Sequence, residues 1–99
     1  MPTYVALIKW TDEGVRNVKD TVDRAQNAQS LAQSLGANLH TIYWLQGSEY
    51  DVVALLDAPD EETASAALLG SASRSGAIRT QTARAYTEEE MRRIIQRIS

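Results

Sequence analysis

The 99 residues include no cysteine and no phenylalanine, one histidine, two prolines and five glycines. Without cysteine there are no disulfides, no thiol catalysis and no thiolate metal ligands, although the redox compartment stays open. With a single histidine, a zinc site would need carboxylates from elsewhere or from a neighbouring subunit, so no metal is expected. Basic residues number ten against thirteen acidic ones, for a formal charge of -3, and they are scattered along the chain. That pattern leaves no electrostatic footprint for a phosphate backbone, and neither nucleic acid nor a membrane is expected as a partner. An RNA-reading sheet is excluded further by the missing phenylalanines and by the lack of a Lys/Arg-Gly-aromatic string. No apolar run approaches the roughly 20 residues that cross a bilayer. The opening MPTYVALIKW lacks a basic segment and a small-residue cleavage site, so it reads as a strand rather than a signal peptide, and a cytoplasmic location is the default expectation. A phosphate-binding glycine loop, a nucleophile elbow and a metal-ligand cluster are also missing, and no cofactor is implied.

What remains is ordinary globular material, 43% apolar and 23% charged, enough for one domain over residues 1–99 that buries roughly 65% of its unfolded surface. Thr3 to Trp10 is rich in β-branched and aromatic residues and stops at Thr11-Asp12-Glu13-Gly14, which marks a first strand. From Val15 the small and apolar residues Val18, Val22, Ala25, Ala28, Ala32 and Leu35 recur in steps of three or four, predicting one helix that Gly36 ends. Leu39–Leu45 and Asp51–Leu56 read as two strands joined by a short hairpin connection. A second helix opens at Ala58-Pro59-Asp60 and ends near Gly76, with Ala64, Ala67, Leu68 and Ala72 inward. Ala77–Tyr86 is the fourth strand. Thr87 and Glu90 then form a capping box for a last helix with Met91, Ile94, Ile95 and Ile98 on one face.

The order β-α-β-β-α-β-α, with right-handed crossovers, gives an α+β fold: an antiparallel sheet in the order 4-1-3-2 with two helices on one face, plus a C-terminal helix. Strand side chains alternate, so Tyr4, Ala6, Ile8 and Trp10 oppose Val5 and Leu7, while Val52, Ala54 and Leu56 oppose Val53 and Leu55. Both sets are apolar, yet the helices cover one face. The other face therefore calls for a partner sheet, and the expected partner is the chain itself, as a homodimer or higher homo-oligomer. Folding of the last helix over that face is the alternative.

Nearly the whole sequence resembles the GYD-domain family. The resemblance is carried by TYVALIKWTDEGVRNVKD, by Gly47 with Tyr50-Asp51-Val52-Val53, by Asp57-Ala58-Pro59-Asp60, by Arg79-Thr80-Gln81-Thr82 and by Ala85-Tyr86-Thr87-Glu88-Glu89-Glu90. It implies a ferredoxin-like fold of the dimeric α/β barrel type and self-association, with no agreed activity to carry over. Two departures stand out. The name motif, Gly47-Ser48-Glu49-Tyr50-Asp51, is one residue longer than usual, and Val22 replaces a common proline, which permits a more continuous first helix.

Candidate site residues are few. Tyr50 and Asp51, where the hairpin enters the third strand, pair a phenol with a carboxylate. The structural reading gives Asp51 to turn amides and bonds the Tyr50 hydroxyl at the sheet end. His40, the single histidine and a candidate for proton transfer, is expected on the face of Ile42 and Trp44. Lys9 and Arg79, on neighbouring strands, offer a cationic place for an anionic ligand. Trp10 and Trp44 either line a cavity or plug an interface. The leading function is a homo-oligomeric assembly or small-ligand-binding module; the alternative is a cofactor-independent monooxygenase- or isomerase-type enzyme using His40 or the Tyr50-Asp51 pair.

Overall fold

Alternation along the first strand sorts the molecule into layers. In the computed structural model, which describes residues 1–98, strand β1 (Thr3–Trp10) buries Tyr4, Ala6 and Ile8 on one side and leaves Val5 and Leu7 half-buried on the other. Strands β2 (Asn38–Trp44), β3 (Val52–Asp57) and β4 (Ile78–Ala85) join it in the order β2-β3-β1-β4, with every pair antiparallel. This is the α+β arrangement and strand order expected from the sequence. Helices α2 (Thr21–Ser34) and α3 (Glu61–Ser75) pack side by side on the face that carries Tyr4, Ala6 and Ile8. The side chains between them are small. Ala6, Ala32, Ala54, Ala58, Ala64 and Ala67 are buried, and Leu56 is the one large side chain under 2% exposed among the described residues. At Gly70 an added Cβ would lie 2.8 Å from Leu31 Cδ2, so Leu31 of α2 seats against the α3 backbone there. Helix α3 starts on Asp60, whose carboxylate accepts the Thr63 N–H at 2.8 Å, and stops at Gly76 with φ +65.

The expected single helix from Val15 to Leu35 is broken. A short helix α1 (Asp12–Arg16) and a 3-10 turn at Val18–Asp20 precede α2. Thr11 begins α1 early: its hydroxyl accepts the Gly14 N–H at 3.1 Å and donates to the Gly76 carbonyl at 2.8 Å, while its N–H donates to the Ala77 carbonyl at 2.9 Å. These bonds pin α1 to the start of β4. Asn17 then leaves the helical region at φ -109, ψ 35, and Arg24 donates to the carbonyls of Asn17 at 2.9 Å and Gly14 at 3.5 Å. The absence of proline at Val22 therefore does not make the helix continuous. Of the expected inner stripe, Ala25, Ala28 and Ala32 face inward, joined by Leu31, whereas Val18, Val22 and Leu35 are exposed.

The second strand also departs from simple alternation. Leu39 pairs with Leu56 but Thr41 with Leu55, so His40 is an extra residue in a bulge. Leu39 and Ile42 thereby both face the helices, and His40 does not share a face with Ile42 and Trp44 as expected.

Helix α4 (Glu88–Gln96) carries the predicted capping box. Thr87 Oγ1 accepts the Glu90 N–H at 3.1 Å, and Glu90 Oε1 accepts the Thr87 N–H at 2.9 Å. The helix does not fold over the open sheet face. The Cα envelope of 51 × 32 × 17 Å is thin enough for a single helical layer, and α4 makes only marginal contact with the other elements. Met91, Ile95 and Ile98 stay exposed.

Candidate functional site

The helix-free face is built from alternate residues of the ladder. Direct cross-strand pairs Val5–Leu55 and Leu7–Val53 form its apolar centre. At the Thr3 end, Thr3 donates to Asp57 Oδ1 at 2.7 Å, and His40 Nε2 lies 3.4 Å from the same oxygen. The bulge that displaced His40 from the core face thus places it beside a carboxylate. Its Nδ1 lies 2.7 Å from Thr41 Oγ1, so both ring nitrogens are engaged.

At the opposite end the hairpin returns across the sheet. Asp51 Oδ2 accepts the Trp10 backbone N–H at 2.9 Å, and the Asp51 N–H donates to the Ile8 carbonyl at 2.8 Å. Asp51 therefore closes the end of the β1–β3 ladder. Tyr50 lies over this end of the face: its hydroxyl donates to Gln81 Oε1 of β4 at 2.6 Å, and Lys9 Nζ stands 5.5 Å from its ring centroid. Lys9 also reaches Glu49 Oε1 at 4.0 Å and sits directly opposite Arg79. Asp51 immediately precedes β3 and Asp57 ends it, six residues of extended chain or roughly 20 Å apart, so His40 and the Tyr50-Asp51 pair do not converge on one reacting atom. Lys9 and Arg79 are direct cross-strand partners.

Trp10 and Trp44 belong to the other side. They line a cleft of about 740 Å³ between the sheet and the helices, with Ile8, Ile42 and Val52 in its floor. Trp44 Nε1 donates to Thr21 Oγ1 at 3.0 Å and so ties β2 to the start of α2. His40, Tyr50, Asp51, Lys9 and Arg79 are all outside this cleft. Among the described residues, no three histidine, aspartate or glutamate side chains gather as metal ligands, and no helix is long and apolar enough to cross a membrane.

The GYD domain model matches residues 4–95. The chain belongs to the GYD family. A Thermus thermophilus protein named "Glutamine synthetase and cystathionine beta-lyase binding protein" is 33% identical over 83 residues, spanning 83% of this chain and 85% of that protein. The crystal structure of TTHA0845, also from Thermus thermophilus, shares the fold, with a TM-score of 0.55 at 23% identity over 88% of this chain and 95% of that one.

One cluster in this GYD domain escaped sequence reading. Arg84 Nη2 lies 2.9 Å from Glu90 Oε2, and Arg84 Nη1 donates to the carbonyls of Thr3, at 3.2 Å, and Ala85. Its guanidinium also lies 4.6 Å from the Tyr86 ring centroid and 5.8 Å from that of Tyr4. Arg84 thus clasps α4 to the end of the sheet. The Thr87 N–H, and after it the Arg84 bond, pull the Glu90 carboxyl down to about 2, and Glu90 in turn raises the Arg84 guanidinium. The available signal was the two-residue offset between Arg84 and Tyr86, with a capping-box glutamate one helical turn beyond.

Proposed function

We propose that this GYD domain is a non-enzymatic protein-binding module that self-associates through the helix-free face of its sheet. The observation that carries the reading is the apolar centre Val5, Leu7, Val53 and Leu55, which no element among the described residues covers. Each such side chain gains about 1.5–3 kcal/mol when taken fully out of water, and these four are already half-buried by their neighbours. Completing their burial is worth roughly half of that per residue, several kcal/mol for each copy.

A second copy fits the charge pattern of this face. Lys9 and Arg79 are at one end and Asp57 is at the other, so a two-fold axis perpendicular to the strands sets the cationic end of one copy over the acidic end of its mate. Four strands about 4.8 Å apart and six to eight residues long present roughly 450 Å² in projection, short of the roughly 800 Å² per partner of a standard stable contact. Met91 and Ile95 of α4, with Ile98 just beyond it, are a second exposed apolar surface, and we assign them to the same contact. The name of the Thermus thermophilus relative, a protein that binds two enzymes, supports enlarging the partner class from copies of this chain to other proteins. None of His40, Tyr50 and Asp51 lines the cleft, so the catalytic alternative has no comparable support.

The deciding measurement is mass in solution. Wild-type protein at micromolar concentration is expected to sediment at a multiple of 10.9 kDa, and Leu55→Lys is expected to sediment at the single-chain mass with its far-UV circular dichroism unchanged. A wild-type chain that sediments as a folded monomer refutes the reading.

A further inference from the structure

We propose that the cleft between the sheet and the splayed ends of α2 and α3 binds a small planar aromatic molecule that carries an acidic group. The site arises from the way the helix layer is filled. At the Thr3 end of the sheet, Leu39, Leu56, Ala32, Ala64 and Leu68 close the core. Leu31 seats against Gly70 midway. Beyond that contact the inward positions shrink to Ala25 and Ala28 on α2 and to Ser71 and Ser75 on α3, and the layers part. The floor beneath is a cross-strand row in which Trp44 faces Val52 and Val52 faces Ile8, with the pair Trp10 and Ile78 two residues further along. The resulting space of about 740 Å³ falls within the roughly 300–1,000 Å³ of small-molecule sites, and it has their composition: an apolar floor with a few polar groups at the mouth.

The chemistry of the occupant follows from which mouth groups are free. Ser71 and Ser75 donate to the helix carbonyls of Ala67 and Ser71, and the Thr21 hydroxyl is taken by Trp44. Arg24 spends part of its guanidinium on the carbonyls of Gly14 and Asn17. The Arg74 guanidinium makes no hydrogen bond or ion pair with any other described residue. Two indoles therefore offer ring faces, and one uncommitted guanidinium offers a fork for a carboxylate or sulfonate. Glu13 and Asp20 also line the cleft and offset Arg24 and Arg74 in formal charge, so the acidic group is placed by the Arg74 fork rather than by a net positive field.

Trp10 and Trp44 are the only tryptophans in the chain, which makes the site report on itself. Titration with the aromatic sulfonate 8-anilinonaphthalene-1-sulfonate is expected to saturate at one probe per chain, with tryptophan emission quenched and transferred to the probe. Arg74→Gln is expected to weaken this probe about tenfold, the factor supplied by one charge-assisted hydrogen bond, while leaving the uncharged N-phenyl-1-naphthylamine unaffected. Ala28→Leu, which fills the cleft, should weaken both probes, and Glu13→Gln with Asp20→Asn should tighten the sulfonate alone. Leu55→Lys, on the opposite face, should change neither. The proposal is overturned if the sulfonate fails to saturate, if Leu55→Lys abolishes its binding, or if Arg74→Gln weakens the charged and uncharged probes alike. If Ala28→Leu fails to fold, Arg74→Gln and the probe pair still decide.

Discussion

Gly14→Ala is expected to destabilise the fold out of proportion to its size. A Cβ at Gly14 would sit 2.1 Å from the Ala77 carbonyl oxygen, 3.0 Å from its carbon and 3.2 Å from Trp10 Cβ, and two of those atoms are backbone. The same oxygen accepts the Thr11 N–H at 2.9 Å, and the Thr11 hydroxyl reaches the Gly76 carbonyl at 2.8 Å. Relieving the overlap moves α1 away from β4 by about 1 Å and breaks both bonds, each contributing about 1 kcal/mol. Overpacking adds about 1–3 kcal/mol, and the better helix propensity of alanine returns at most about 1 kcal/mol. The net loss is about 2–4 kcal/mol. In urea, with a slope of about 1 kcal/mol/M for so small a chain, the midpoint falls by about 2–4 M. Gly70→Ala is the control: its Cβ meets only the far end of Leu31, at 2.8 Å, and a rotamer adjustment of about 0.5–1.5 kcal/mol is offset by the gain in propensity. Equilibrium unfolding of wild type and both variants at one protein concentration measures the difference. Equal midpoints for the two variants would refute the argument that the backbone contact, rather than glycine content, holds α1 in place.

Acid should loosen the α4 clasp. The Glu90 carboxyl is held at about 2, below its ordinary 4.5, so its contribution is present above pH 4.5 and is lost as pH falls from there toward 2. Hydrogen exchange of the α4 amides across that window should show the loss, and Glu90→Gln should flatten it; identical profiles would contradict the assignment. Asp51→Asn keeps an acceptor for the Trp10 N–H but removes the charge, whereas Asp51→Ala leaves that half-buried donor without its partner. The alanine variant should lose about 1–3 kcal/mol in urea unfolding and the asparagine variant clearly less, a ranking that a catalytic role for Asp51 would not produce.

The elements that could be read from the sequence were those whose signals are local. Asp60, Gly76 and the Thr87–Glu90 box cap helices where the residue types require it, and the continuous apolar character of the first and third strands placed them at the sheet centre. The first helix misled because Val18 and Val22 keep helical spacing while a tertiary contact, Thr11 and Gly14 against Ala77, decides where the chain bends. His40 misled because one extra residue reverses the face of everything before it, and no residue type marks such a bulge. Lys9, Arg79 and the bonded Tyr50 hydroxyl were legible from strand register and the hairpin. The cleft was not: it depends on where Leu31 and Gly70 bring two helices together, and the small residues beyond them read equally well as close packing.

The irregularity at His40 bears also on how the molecule stays out of fibrils. β2 is a rim of the sheet, and a straight rim with free amides is a template onto which another extended segment can zip. The extra residue throws the rim's donors and acceptors out of step after Leu39, so an incoming ribbon finds only short stretches in phase.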